Sequence, residues 1–476
     1  MELWRGIARR LSDSPDRRHS EEDYELLPNE STRADGLPHV GTRRRRSRLQ
    51  ACVHFWTLRR ILIFLALIPF LLAFGVLLSG IPPSYNDIRE FERHLPQHNT
   101  TQALEEHTRY IRFPGHVWGH GLNNVLQEAL LLHYLAFKSN RSYVFEDYVW
   151  SHLPFPYTIY DFALRPVRIP LNAFISGPTA GGPMEPNLAV SAEFWESVCP
   201  PDRRRIISSK DAPSHVQGSV IIDWWVARLK DVLDECVEID SGEKVIFDFP
   251  FFTSDRIISL WDGISKSPVL ADYLWSPLVH SAVLRNFPTL QPASAKALFD
   301  VSSNGTLEGL VAVHLRRGDY RRHCPRLAGW RSLYNGIAQH PDLPDKFDPS
   351  PYKFKSDAYN DYYMLHCLPT VEQLVERLRA VRKDRPRLRR VYVLTNAWGW
   401  WLNGLKAALQ RDGWDDLKSS YDLELDSEQR YVAMAVDMAI AEKAEVFVGN
   451  GFSSLSSNIV MLRMAKGLHV SSNRFL

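Results

Sequence analysis

The 476-residue sequence predicts an α/β chain built as two halves, preceded by one membrane-spanning helix. Three observations predict it. From Leu310 onward, short apolar runs alternate with amphipathic ones, the pattern of a parallel sheet covered by helices. Residues 109–147 show the same pattern once, in outline. Ile61 to Leu78 is an uncharged apolar run of about the length that crosses a hydrocarbon core. At 45% apolar and 24% charged residues the composition is ordinary for a globular protein and excludes a disordered or fibrous one. The 57 basic and 55 acidic side chains leave a net charge of +2, so nucleic acid is not an expected partner. Any anion binding must be local.

Residues 1–60 are polar and charged, as in a disordered tail. The anchor is assigned to 61–81. Pro69 does not bar a span, because membrane helices tolerate proline, and the preceding tail is far too long for a cleaved signal peptide. Arg43 to Arg46, Arg48, Arg59 and Arg60 precede the anchor, whereas Arg89 and Arg93 beyond it are offset by Asp87, Glu90 and Glu92. That asymmetry predicts a cytosolic tail and a lumenal body, hence a single-pass type II protein of the Golgi or endoplasmic reticulum membrane. Asn99-Thr100-Thr101, Asn140-Arg141-Ser142 and Asn304-Gly305-Thr306 match the N-glycosylation acceptor pattern. Of five cysteines, Cys52 lies on the cytosolic side. The other four are expected to pair within each half, Cys199 with Cys236 and Cys324 with Cys367. No closely spaced Cys/His pairs point to a metal.

Residues 82–106 read as a stem, and 107–303 as the first lobe. It opens with the strand-like "RYIRF", the turn "GHVWGHGLNN", the helix-like "VLQEALLLHYLAF" and the strand-like "SYVFED", a βαβ unit. From 151 to 303, proline-rich loops alternate with amphipathic stretches such as "DWWVARLKDVLDEC". No chemistry attaches to them, and their tryptophans read as core. Residues 304–476 form the second lobe. "VAVHL", "RVYVLTN" and "EVFVGN" are its strands; "TVEQLVERLRAVRK", "WWLNGLKAALQR", "SEQRYVAMAVDMAIAEKA" and "SSLSSNIVMLRMA" are its helices.

Open α/β sheets bind ligands at the carboxyl ends of their strands. His314, Arg316, Thr395, Asn396, Asn450, Ser453 and Ser454 fall there. The loop "GNGFSSLSSN" places glycines and serines between a strand and a helix, so backbone N–H groups, hydroxyls and the helix dipole can face an anion. The same serines would also serve as a plain helix cap. Arg316 favours the anion reading, because a guanidinium fork can hold two phosphate oxygens. One of Arg316 and Arg317 is expected to pair with Asp319 instead.

"VHLRRGDY" at 313–320, "VYVLTN" at 391–396, "VFVGNGFSSLSSN" at 446–458 and "GHGLNN" at 119–124 together resemble the GDP-fucose protein O-fucosyltransferase superfamily. The resemblance implies two Rossmann-like domains facing a cleft, the GT-B arrangement. It implies an inverting transfer that needs no metal or other cofactor, with GDP-fucose as donor substrate and a protein or glycan as acceptor. Carried over by motif, His314 contacts the nucleotide, Arg316 the diphosphate, and Ser453 and Ser454 the β-phosphate. Asn123 reaches the donor from the first lobe. Thr395 and Asn396 lie near the base or ribose, where the family often has an aspartate in place of Asn396. His120 stands where some relatives place a glutamate proposed as catalytic base, and a histidine can do that work near neutral pH. A related transferase using another GDP-sugar, or a non-catalytic protein that binds a glycan or protein partner, fits the same residues.

Overall fold

The computed structural model describes residues 48–78, 80–115, 121–151, 155–160, 163–290 and 305–476. Helix α1, Arg48–Leu78, contains the stretch Arg59–Val76, which is long and apolar enough to cross a membrane and is not buried. The arginine run at 43–46 lies outside the described residues.

Two five-stranded parallel sheets organise the rest. The first contains β1 (Tyr110–Arg112), β2 (Ser142–Phe145), β3 (Val190–Ser191), β4 (Arg205–Ile207) and β5 (Cys236–Ile239), in the order 3-2-1-5-4. Helix α2, Leu122–Lys138, joins β1 to β2. The second contains β6 (Leu307–Leu315), β7 (Arg390–Thr395), β8 (Asp416–Ser419), β9 (Ala444–Gly449) and β10 (Asn473–Phe475), in the order 8-7-6-9-10. Its helices are α3 (Tyr320–Trp330), α4 (Asp357–Cys367), α5 (Val371–Asp384), α6 (Gly399–Arg411), α7 (Ala433–Lys443) and α8 (Ser454–Ala465).

The nine residues of β6 explain why this sheet has helices on both faces. Leu310 and Ala312 join one core with Val436 and Ile440 of α7 and Ile459 of α8. Val311, Val313 and Leu315 point the other way, against Leu374 and Leu378 of α5 and Leu405 and Leu409 of α6. Alternate side chains of a strand face opposite sides, so an unbroken apolar run can be satisfied only when both sides are covered. Full burial contributes roughly 1.5–3 kcal/mol for each Val or Leu. The first core also takes in Ile111, Tyr143 and Val237 of the first sheet, so it is continuous from one sheet to the other.

The elements absent from the sequence reading are the helices α3 and α4, the short strands β3, β4, β8 and β10 towards the sheet edges, and β5. Helix α7 begins at Ala433, later than the run "SEQRYVAMAVDM" predicts, because Asp426 Oδ1 accepts the backbone N–H groups of Glu428 and Gln429 and holds the segment before it in a turn. Trp195 and Trp225 are fully buried, as expected of core residues. Both cysteine pairs form: Cys199–Cys236 ties the strand β5 to the segment before β4, and Cys324–Cys367 ties α3 to α4. Of the glycosylation patterns, Asn140 is exposed, Asn99 caps a helix through its Oδ1, and Asn304 lies outside the described residues.

Candidate active site

In the second sheet, chain order reverses between β6 and β9: β6 leads to β7 on one side, and β9 leads to β10 on the other. Such a switch point leaves a crevice beyond the strand ends. The residues that follow β6 and β9 meet there. Arg316, Gly318, Asp319 and Tyr320 after β6, and Phe452 and Ser454 after β9, line one cavity of about 590 Å³. Asn124 at the start of α2 and Phe249 close it from the first sheet's side.

Arg316 is about half exposed, and its Nε and Nη2 donate to the two Asp319 oxygens at 3.0 and 2.8 Å. Its guanidinium also lies 5.0 Å from the centre of the Tyr320 ring. Burial pushes the Asp319 carboxyl up, but the hydrogen bonds and charge of Arg316 outweigh it and hold the group below the ordinary aspartate value. Arg317 departs in the other direction. It stacks 4.0 Å from the centre of the Trp401 ring and donates to the Pro369 carbonyl at 2.6 Å. Arg316 therefore pairs with Asp319 and also lines the cavity, while Arg317 braces α6.

The loop after β9 is tightly built. Gly451 is required for close approach, since a Cβ there would lie 2.4 Å from the Tyr334 ring. Asn450 is spent on the loop, donating from Nδ2 to the Cys367 carbonyl and accepting the Phe452 N–H at Oδ1. Ser453 precedes α8 in an extended conformation and makes no side-chain cap. Its Oγ is buried beside the Tyr320 hydroxyl without a hydrogen bond of good geometry. The first N–H groups of α8 are thus left without a side-chain cap, at the edge of a cavity that Ser454 lines.

His314 is buried at the end of β6, with Nδ1 2.8 Å from Ser456 Oγ. Burial, aided by the charge of Arg316, lowers its pKa to about 3. It is a neutral hydrogen-bonding group and not a counter-charge. Thr395 donates from Oγ1 to the Leu315 carbonyl at 2.5 Å, which locks β7 to β6 at the site. Asn396 accepts the N–H groups of Arg317 and Gly318 at 2.8 and 3.1 Å and donates to Asp319 Oδ1 at 3.3 Å. An aspartate here would accept both N–H groups but place a second carboxylate against Asp319, so the amide fits this loop better. A Cβ on Gly318 would sit 2.9 Å from Asn396 Nδ2, so only glycine permits the contact.

Residues 278–466 match the family model for GDP-fucose protein O-fucosyltransferase. This segment belongs to the GDP-fucose protein O-fucosyltransferase superfamily. The chain is accordingly a glycosyltransferase of the fucosyltransferase type. The matched stretch holds all three strand-end segments described above and leaves out 119–124. Among curated proteins nothing matches the chain. Similar solved structures include POFUT1 in complex with GDP-fucose, at 13% identity and TM-score 0.46 over 78% of this chain and 98% of that one. Another is a mutant of Arabidopsis thaliana FUT1 in complex with GDP, at 10% identity and TM-score 0.36 over 80% of this chain and 78% of that one.

Around this O-fucosyltransferase segment, the remaining expected residues fall unevenly. Asn123 is buried away from the cavity, donating to Met434 Sδ and accepting from Asn458 Nδ2 on α8; its neighbour Asn124 is the one that lines the cavity. His120 lies outside the described residues. A second cavity of about 500 Å³ opens at the ends of β7 and β8, lined by Asn396, Trp398, Lys406, Ser419, Tyr421 and Asp422 among others. The Gly318–Asn396 hydrogen bond joins the walls of the two cavities. Sequence reading passed over Arg322, His323 and Arg326 of α3, which also line the first cavity. Their signal was a basic pair four residues apart directly after the strand-end motif.

Proposed function

We propose that the chain is an inverting, metal-independent glycosyltransferase that moves fucose from GDP-fucose to a protein hydroxyl or a glycan. In this reading residues 107–303 and 304–476 are two Rossmann-like lobes facing a cleft. The observation that carries it is the meeting of Arg316 with the uncapped start of α8 in one cavity at the switch point of the second sheet. Guanidinium and oriented N–H groups are both suited to an anion whose charge grows during reaction. The donor's diphosphate lies in the first cavity, and its base and ribose extend past Asn396 into the second, which Trp398 and Tyr421 line. The acceptor hydroxyl attacks the anomeric carbon as the bond to the β-phosphate oxygen breaks. Its proton passes to a base, a role assigned to His120, and the electron pair leaves with GDP. Asn123 serves this donor from behind, by setting the start of α2 on which Asn124 stands.

Helix α1, the arginine asymmetry and the two disulfides support a single-pass type II protein with a lumenal body in the Golgi or endoplasmic reticulum. Thermal melting of the detergent-solubilised chain against GDP, GDP-fucose, GDP-mannose and UDP-sugars tests the donor class. Stabilisation by GDP compounds is expected, with GDP-fucose the strongest of the sugars. Stabilisation by UDP compounds alone would overturn the proposal, and a preference for GDP-mannose would assign a different GDP-sugar.

A further inference from the structure

The charge inside the first cavity is not where the strand-end motif alone would put it. Arg316 stands against Asp319, with two of its nitrogens on the carboxylate, so the pair is electrically neutral. Burial and the neighbouring Arg316 hold the His323 pKa below the ordinary histidine value, which favours the neutral ring. Two charges remain in the lining, Arg322 and Arg326. They stand four residues apart on α3 and so share one face of that helix. Among the described residues neither side chain has an ion-pair or hydrogen-bond partner.

We infer that Arg322 and Arg326 supply the counter-charge for the donor's diphosphate, with Arg316 as the oriented group between them and the helix α8. The inference rests on the GDP-sugar reading above. Three guanidinium groups and one carboxylate line the cavity, a net charge of two, which equals the two negative charges of a nucleotide-sugar diphosphate. A donor alone therefore balances the site. An acidic acceptor would leave it with an excess of negative charge in a partly enclosed space, so the pair is assigned to the donor and the acceptor is expected to be uncharged where it reacts. When the sugar departs, the β-phosphate gains charge, and the same two arginines hold the product more strongly than the substrate. The helix that presents them is fixed from behind. Cys324, midway between the two and on the opposite face, is bonded to Cys367, and Leu327 and Ala328 are buried.

The test compares GDP with GMP as ligands of the full detergent-solubilised chain by titration calorimetry, in wild type and in an Arg322→Gln/Arg326→Gln double variant. Both positions are exposed, and melting temperature confirms that the variant is folded. Removal of each charge-assisted hydrogen bond should weaken GDP binding roughly tenfold or more, with a smaller effect on GMP and a flatter dependence of GDP binding on salt. Unchanged GDP affinity would overturn the inference while leaving the donor reading intact, and a raised acceptor KM in that case would move the arginines to the acceptor. A wild-type chain that binds neither GDP nor GMP would overturn the reading and the inference together.

Discussion

Arg316→Lys separates catalysis from stability in a way the geometry quantifies. The Arg316–Asp319 pair has side-chain exposures of 44% and 51%, so it sits in largely solvated surroundings. Such a pair contributes about 0–1 kcal/mol to folding. A lysine keeps the charge but cannot place two nitrogens on Asp319 and still present a planar donor to a phosphate. Melting should therefore fall by no more than about 2 °C. Turnover should fall on the order of a hundredfold, about 2.7 kcal/mol, the scale of removing one oriented electrostatic donor. Arg317→Lys supplies the contrast. It removes the stack on Trp401 and the bond to the Pro369 carbonyl, which together contribute about 1–2 kcal/mol to stability, and it leaves the backbone N–H that Asn396 accepts in place. It should lower the melting temperature and leave turnover per folded molecule near wild type. The assay is release of GDP from GDP-fucose with acceptor in excess, alongside melting of each variant. Full turnover in Arg316→Lys, or loss of turnover in Arg317→Lys with Arg316→Lys active, would refute the assignment.

Three further outcomes are expected. His133 is buried, with Nδ1 on Thr179 Oγ1 and its pKa lowered from 6.5 to about 3, so below 6.5 the unfolded chain takes up a proton that the folded chain refuses. Its contribution is lost as pH falls, about 2 kcal/mol between pH 7 and 5, and His133→Phe should narrow the gap in melting temperature between those two pH values; an unchanged gap would count against it. Replacing Cys324 and Cys367 by serine opens the tie between α3 and α4 and should cost about 2–5 kcal/mol, while alkylation of the unreduced, denatured wild type should label only Cys52; two or more labelled thiols beyond it would contradict the pairing. In sealed microsomes, added protease should trim only the N-terminal tail, and degradation of the body would reverse the topology.

The sheet that carries the site was readable because its central strands are long and apolar, with β6, β7 and β9 flanked by helices of clear period. β8, "DLKS", and the three-residue β10 were not, since strands this short and polar leave no periodic trace and are held by their neighbours. The strand-end positions of His314, Arg316 and Ser454 could be read from the same alternation. Which arginine faces the cavity depends on the exit angle of the loop, set by the Asn396 amide from a strand some eighty residues away. Asn123 and Asn124 show the same limit at one-residue scale. The start of α2 at Leu122 turns Asn123 inward and Asn124 towards the cavity, and a glycine-rich turn does not announce that phase. The roles of Arg322 and Arg326 depend on Arg316 being neutralised by Asp319, a three-dimensional fact with no signature in residue spacing alone.

The most direct measurement is of the reaction itself: the purified full-length chain incubated with radiolabelled GDP-fucose and a mixture of glycoprotein and glycan acceptors, with GDP release and label transfer followed together. GDP should appear in step with fucose on an acceptor, and the Arg316→Lys chain should fall short by roughly a hundredfold. Tight binding of GDP-fucose with neither GDP release nor transfer would make the protein a binder of its donor, and the catalytic account would be wrong.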